Sequence, residues 1–275
     1  MRKPLDYSAF LRLLARTWNL AHGRTQPETD ESRLEDMVRL AASEDTDIAL
    51  LQEVPVWALR ELERWSGMKM FGVVAMRPYL GVLGRWTTRL ARQRLRSALT
   101  GQANAILVQA RHGSVSSAAT SQLNPRGMRR HVARSLNLDR GAIRHWAWNR
   151  RMCQVVRVDV RGTTIVVANM HLTHFDPRLA VEELARAEVF ATGFAGPGVP
   201  ILFGGDLNIP GDEPELFEPL RSAGYTSPAA SIDHLFGKRM ALIAGPDALP
   251  DTIREHHGVV LSDHPIIEAT FEVAS

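Results

Sequence analysis

Apolar positions follow two periods along this chain. At residues 34–41 they recur every three or four positions, as Leu34, Met37, Val38 and Ala41, the spacing of a helix with one buried face. Ser32-Arg33-Leu34-Glu35 at its start has the form of a capping box. Short apolar runs bounded by polar or glycine-containing turns predict strands over 11–19, 47–53, 69–75, 104–109, 152–160, 163–172, 199–205, 231–236, 239–244 and 266–273. The pair at 152–172 reads as a hairpin turned at Arg161-Gly162. Further helices are predicted over 56–65 and 213–223. Another runs from the Asp176-Pro177 cap to about residue 194, with proline at its first position. Residues 77–100 read as an inserted basic helix, and 111–147 as a basic stretch, irregular or helical. With no repeat, low-complexity tract or linker, one α/β domain over 1–275 is expected.

The strands share a habit: each runs apolar and then stops on a polar group. It happens at Asn19, Glu53, His171, Asp206/Asn208, Asp233 and Asp263-His264. A single such ending is an ordinary turn or cap, and Gly-Asp-x-Asn makes turns readily. Six endings in Asn, Asp, Glu or His describe one functional rim on a sheet scaffold. The stretch Phe203-Gly204-Gly205-Asp206-Leu207-Asn208 is the centre of it. In an extended segment Asp206 and Asn208 share a face, setting a carboxylate that can accept a proton beside an amide that can donate and accept. By the same alternation His174, three positions from His171, faces away and is not expected to bind metal. His22 and His256-His257 fall in predicted loops and are expected exposed or on a substrate rim, and Trp146 and Trp148 alternate as on a strand or loop.

Composition narrows the class. At 45% apolar and 23% charged residues the chain suits a globular protein. The single cysteine, Cys153, rules out an internal disulfide and argues against a cysteine zinc site. No apolar stretch reaches membrane-spanning length and the N-terminus lacks a secretory core, so a cytoplasmic monomer is expected. Net charge is only +3, yet residues 77–151 hold fifteen arginines against one acid, Asp139, while the remainder is acidic. Only three lysines occur in the chain, so coding bias explains Arg over Lys; it does not explain the missing acids. Within the insertion Arg85, Arg89, Arg92 and Arg96 are spaced 4, 3, 4 along one helix face, with Leu83, Trp86, Leu90 and Leu95 on another. That face suits a phosphate backbone, and a basic amphipathic helix also suits an anionic membrane surface.

Thr17-Trp18-Asn19, Leu51-Gln52-Glu53, Asn104-Ala105-Ile106-Leu107, Asn169-Met170-His171-Leu172, Gly205-Asp206-Leu207-Asn208, Ile232-Asp233-His234 and Ser262-Asp263-His264 resemble, in order, the motifs of the endonuclease/exonuclease/phosphatase superfamily. The resemblance implies a deoxyribonuclease I-like four-layer α/β sandwich, two mixed sheets face to face with helices outside. It also implies Glu53 as the principal Mg²⁺ or Mn²⁺ ligand, with Asn19 and Asp263 close to the metal. Asp206 would position or deprotonate the attacking water, and Asn208 would orient it. His171 and His264 would stabilise charge on the phosphoryl oxygens, Asp233 would orient His264, and Asn104 would contact substrate. The sequence departs from many members in having Leu207 for phenylalanine and Trp148-Asn149-Arg150-Arg151 before the hairpin. The function implied is metal-dependent hydrolysis of a phosphoester by in-line water attack, with a nucleic acid as the leading substrate. A phosphatase or phospholipase C-type hydrolase of small or lipid phosphoesters is the alternative. A non-catalytic anion-binding scaffold is a more distant one, since no matched residue is lost.

Overall fold

The alternation of the first apolar run decides the architecture. It forms β1 (Phe10–Asn19), whose Leu11, Leu13 and Ala15 face a central core while Trp18 packs on the opposite side under a helix. A strand buried on both faces needs a layer on each side. In this computed structural model, which describes residues 10–29, 31–43, 45–78, 100–109, 115–160 and 162–274, that requirement repeats from strand to strand. Arg85, Arg89, Arg92 and Arg96 lie outside the described residues.

After β2 (Thr25–Gln26), α1 (Leu34–Ala41) lays its four apolar residues on the outer face of the first sheet. Then follow β3 (Ile48–Val54), α2 (Leu62–Ser66), β4 (Lys69–Met76), β5 (Gln102–Val108) and β6 (Val115–Gln122). Two basic helices come next, α3 (Arg126–Ser135) and α4 (Arg140–Trp148), leading into the hairpin β7 (Met152–Val160) and β8 (Thr163–His171). The long helix α5 (Pro177–Ala195) crosses to β9 (Ile201–Asp206), and α6 (Glu218–Ser222) precedes β10 (Asp233–Lys238) and β11 (Ala241–Ala248). The chain ends through α7 (Asp251–Arg254), β12 (Glu255–His256), β13 (Val259–Leu261) and β14 (Ile267–Ala274).

Among the described residues the first sheet has the order β11-β14-β1-β3-β5-β4 and the second β10-β9-β8-β7-β6. Both are mixed: β1 and β3 run parallel, as do β8 and β9, and their other neighbours are antiparallel. Between the sheets lies a dry core that includes Leu13, Leu50, Ile106, Val156, Val167 and Leu202. Outside the second sheet, Ala180, Leu184, Ala187 and Ala191 of α5 cover Val155, Val166 and Ala168. The result is the expected four-layer sandwich.

Four local expectations give way. Ser32 does not cap α1: the cap position is Arg33, with no side-chain hydrogen bond, so Glu35 has no reciprocal partner there. The stretch 56–65 divides into a 3₁₀ turn and then α2, and 213–223 divides likewise before α6. Residues 111–147 contain the strand β6, which Ser-Ser-Ala-Ala-Thr-Ser conceals. It is an edge strand, mostly outside the core, held by its pairing with β7 rather than by apolar burial. Strands β12, β13 and β2 form a small third sheet too short to leave a periodic pattern.

Candidate active site

The inner faces of the two sheets change character along their length. On β1 the inward positions run Leu11, Leu13, Ala15 and then Thr17 and Asn19; on β8 they run Ile165, Val167 and then Asn169 and His171. β3 goes from Ile48 and Leu50 to Gln52, β5 from Val108 and Ile106 to Asn104 and Gln102, and β9 from Leu202 to Asp206. One end of the sandwich is therefore dry and the other polar. Asn169 closes the boundary between them. Its Nδ2 donates to Leu51 O (3.1 Å) and Ala105 O (2.9 Å) in the opposite sheet, and its Oδ1 accepts from Gln52 Nε2 (2.8 Å). Buried polar groups paired this way fix how the sheets meet.

Beyond that boundary opens a cavity of about 410 Å³. Asn19, Glu53, His171, Asp206, Asn208 and His264, all expected at the site, line it. Glu53 reaches it by breaking alternation. Its φ of 52° coincides with a register shift between Leu51 and Val54 in the β3–β5 pair, which turns a side chain that would face away from Gln52's side into the cavity. Asp206 and Asn208 also share the cavity for a different reason than extended geometry. β9 ends at Asp206, Asn208 has φ 52°, and its backbone N–H donates to Asp206 Oδ1 at 3.1 Å. Gly205 is required just before: at φ 135°, a Cβ there would lie 2.0 Å from Met170 O of β8.

Asp206 is the most heavily engaged group. Its Oδ2 accepts from Asn19 Nδ2 at 2.8 Å and lies 3.4 Å from His171 Nε2. Burial, and then the charge of Asp233, push its carboxyl up to about 7, against the pull of His264 and the Asn19 bond. Asp233 lies on the neighbouring strand, paired in register with Asp206, and its Oδ2 is 2.8 Å from His264 Nδ1. Burial alone would lower the His264 imidazole, but the Asp233 bond and the charges of Asp233, Asp206 and Asp263 overcome it and push it up to about 10. His264 is thus a cation at neutral pH. Ser262 sets its turn, donating from Oγ to Asn19 O (2.6 Å) and accepting from His264 N (3.2 Å).

His171 differs from His264 in charge. Burial first, and then the cations Arg151 and His264, hold it well below the usual imidazole range, so it is neutral. Gln102 Nε2 lies 3.0 Å from its Nδ1; with the amide donating, the imidazole proton sits on Nε2, toward Asp206. Asp263 is exposed beside His264 and off the cavity wall. Asn104 is buried behind it, its Nδ2 3.4 Å from Met152 O and its Oδ1 without a hydrogen-bond partner.

Other neighbours complete the lining. His22, expected exposed or on a substrate rim, lines the cavity but is buried, at φ 56° and with Nε2 3.4 Å from Glu53 Oε2. His174 lines the cavity after all, because β8 ends at His171 and alternation no longer governs it. Arg151 is a buried cation on the wall, in the field of Glu183. Glu183 in turn accepts from Trp146 Nε1 (2.6 Å) and from Thr173 N (2.8 Å) and Oγ1 (2.9 Å). Trp146 and Trp148 lie on a helix, the first buried and the second 66% exposed on the cavity lip. Gln102 and Arg151 stand where strands begin, Gln102 opening β5 and Arg151 just before β7, and a rule that looks for polar groups where apolar runs stop does not find them. Cys153 is buried in the outer core and takes no part.

The residues fit a divalent cation. Glu53, Asp206 and Asp233 repel one another in a buried space, Glu53 raising the carboxyls of both the others, and their oxygen donors suit a hard ion. A buried carboxylate poised near neutrality, an imidazolium beside it and a buried arginine in the wall form an arrangement suited to phosphoester hydrolysis. A sequence profile of the Endonuclease/Exonuclease/phosphatase family matches residues 17–264, and the chain belongs to that family. No curated protein matches it in sequence. A family protein from Bacteroides thetaiotaomicron shares the fold at TM-score 0.66 and 14% identity, covering 96% of each chain. A humanized D. rerio TDP2 aligns at TM-score 0.60 and 16% identity, over 94% of this chain and 98% of its own. The mannosyl-6-phosphatase of B. thetaiotaomicron VPI-5482 aligns at 0.62 and 13%, over 94% and 99%.

Proposed function

We propose that this phosphoester hydrolase is a Mg²⁺- or Mn²⁺-dependent phosphodiesterase acting on nucleic acid, with water attacking the phosphorus in line. The observation that carries the reading is Asp206, held near pH 7 by burial and gripped by Asn19, His171 and Asn208, directly beside the Asp233–His264 pair. Glu53, with Asn19 beside it, would hold the cation, which when bound supplies Lewis-acid stabilisation of the phosphoryl charge.

The chain's own residues supply the rest. Asp206 accepts the proton of the attacking water, a role for which a base near neutral pH is best matched. Asn208 is fixed by donation from its Nδ2 to Leu172 O (3.0 Å) and orients that water with its remaining amide capacity. His264, charged and aimed by Asp233, donates to a non-bridging oxygen whose charge grows in the transition state. Neutral His171 holds the Asp206 carboxylate in place rather than adding charge. Arg151 keeps the wall positive for an anionic substrate.

A nucleic acid is preferred over a small phosphoester because the lip carries the exposed Trp148, with Arg24 and the buried Arg151 in the cavity lining beside it. The mannosyl-6-phosphatase neighbour stands for the alternative, a phosphatase. A Mg²⁺-dependent screen of DNA, RNA, a chromogenic diester, and inositol, sugar and lipid phosphates decides between them. Polynucleotide cleavage at rates well above those on monoesters is expected; rapid monoester hydrolysis with none on polynucleotides would replace this reading with the phosphatase one.

A further inference from the structure

Helices α3 and α4 pack on each other and on the base of α5 through Val132, Trp146 and Leu179, with Met128, Leu136 and Phe175 around them. Much of their apolar side is therefore used up internally. What faces outward is arginine: Arg126, Arg130, Arg134, Arg140 and Arg144 are exposed. The single acid in the region, Asp139, spends its carboxylate capping α4, where it accepts from Ala142 N at 2.8 Å. Among the described residues none of these five arginines is ion-paired. Like charges gathered without counter-ions are costly to hold together unless a polyanion binds them.

Between the helices runs a groove of about 510 Å³ with arginines on its α3 side, among them Arg126, Arg130 and Arg134, and with Ala133, Ile143 and Ala147 completing its lining. Apolar surface beside a row of guanidinium groups receives a base with its phosphate better than a bare anion. The groove also leads somewhere. Ala147 belongs to it, and the next residue, Trp148, stands on the lip of the catalytic cavity. An exposed indole at that junction is a stacking surface for a base that is not already paired.

We propose that α3 and α4 form the binding track for the strand flanking the scissile phosphate of a single-stranded polynucleotide, with Trp148 stacking a base between track and cavity. The proposal rests on the nucleic-acid reading above and narrows it. A membrane is the less fitting occupant, because insertion needs a continuous exposed apolar stripe and the larger apolar side chains of these helices, Trp148 apart, pack inward.

The test uses the full chain and a fluorescein-labelled oligothymidylate, with affinity read by anisotropy in EDTA across a salt series. Each phosphate neutralised on a single strand contributes a log–log slope of about −0.7, so changing Arg126, Arg130 and Arg134 together to alanine should flatten the slope by about 2. Arg126→Ala and Arg134→Ala alone should each flatten it by about 0.7, and they carry the test if the triple variant fails to fold. Trp148→Ala should weaken binding by about tenfold, with Trp148→Phe restoring most of it. The duplex of the same sequence should bind more weakly than the single strand. Equal slopes in wild type and variants would overturn the proposal, as would phosphatidylserine vesicles captured by wild type and lost by the triple variant. Should wild type bind no oligonucleotide yet hydrolyse a chromogenic diester with Mg²⁺, the track falls while the hydrolase stands. Should it hydrolyse no diester at all, the catalytic reading itself falls.

Discussion

At Asp206 a carboxylate gives up water for three protein partners, and the exchange has a functional result. Asn19, the Asn208 backbone and the nearby His171 hold its position, while burial and Asp233 keep its proton affinity high. Replacing it by asparagine preserves shape and removes only the base. Asp206→Asn should lower kcat on a diester by about 10²-fold or more with KM little changed. His264→Ala should cost a similar factor by removing a charged donor from the transition state. Steady-state kinetics of both variants check these figures. His171→Gln should be milder than either, because its ring is neutral and acts through Asp206. The sequence made the identity of these residues legible, since they stop apolar runs. It did not show the charge of His171 or the burial of His22, because both depend on which cations and carboxylates fold against them.

Between elements, the contacts that matter are the polar ones at the end of the core. Asn169→Ala would remove one of the two acceptors of Gln52 Nε2, which keeps Thr17 Oγ1 (3.1 Å), and the amide donor to two strand carbonyls in a buried seam. A loss of about 2–4 kcal/mol is expected in urea unfolding, at roughly 1–3 kcal/mol for each buried group left unmade with partial relaxation. β10 supplies a second case in His234, which is buried, accepts from Ala229 N at Nδ1 (3.2 Å) and turns Nε2 to Ile209 O (2.8 Å). A second proton has nowhere to go, and burial holds the imidazole down at about 4. Its folded value lies below the ordinary 6.5, so the stability it permits is full above pH 6.5 and is lost as pH falls toward 4. That window corresponds to roughly 3 kcal/mol. Unfolding free energies at pH 7 and pH 4.5 should differ less in His234→Gln than in wild type; an unchanged difference would show that other groups set the acid limit. Strands buried on both faces announced themselves as apolar runs, and their order along the chain foretold the sandwich. β6 did not, because an edge strand is held by backbone pairing that leaves no apolar signature. The tilt of Glu53 into the cavity was equally hidden, since a bulge reverses the alternation from which a facing would be read.

Over the whole molecule, charge is sorted: acids collect in the cavity floor and arginines on the helices beside its mouth. The repulsion among Glu53, Asp206 and Asp233 is relieved when a divalent cation binds, so the fold should gain stability from the ion independently of turnover. Saturation near a hundred times Kd is worth about 2.7 kcal/mol, which for a chain of this size raises Tm by several degrees. Thermal unfolding with and without Mg²⁺ should show that rise in wild type and little of it in Glu53→Gln. The central claim is that this cavity hydrolyses phosphoesters with a divalent ion and Asp206 as base. Its most direct test is the hydrolysis of bis(p-nitrophenyl) phosphate by wild type and Asp206→Asn, side by side, in EDTA and after Mg²⁺ or Mn²⁺ is restored. Turnover should vanish in the chelator, return with the metal in wild type, and stay at least about 10²-fold lower in the variant. Full turnover by wild type in EDTA, or by Asp206→Asn with metal, would contradict the account.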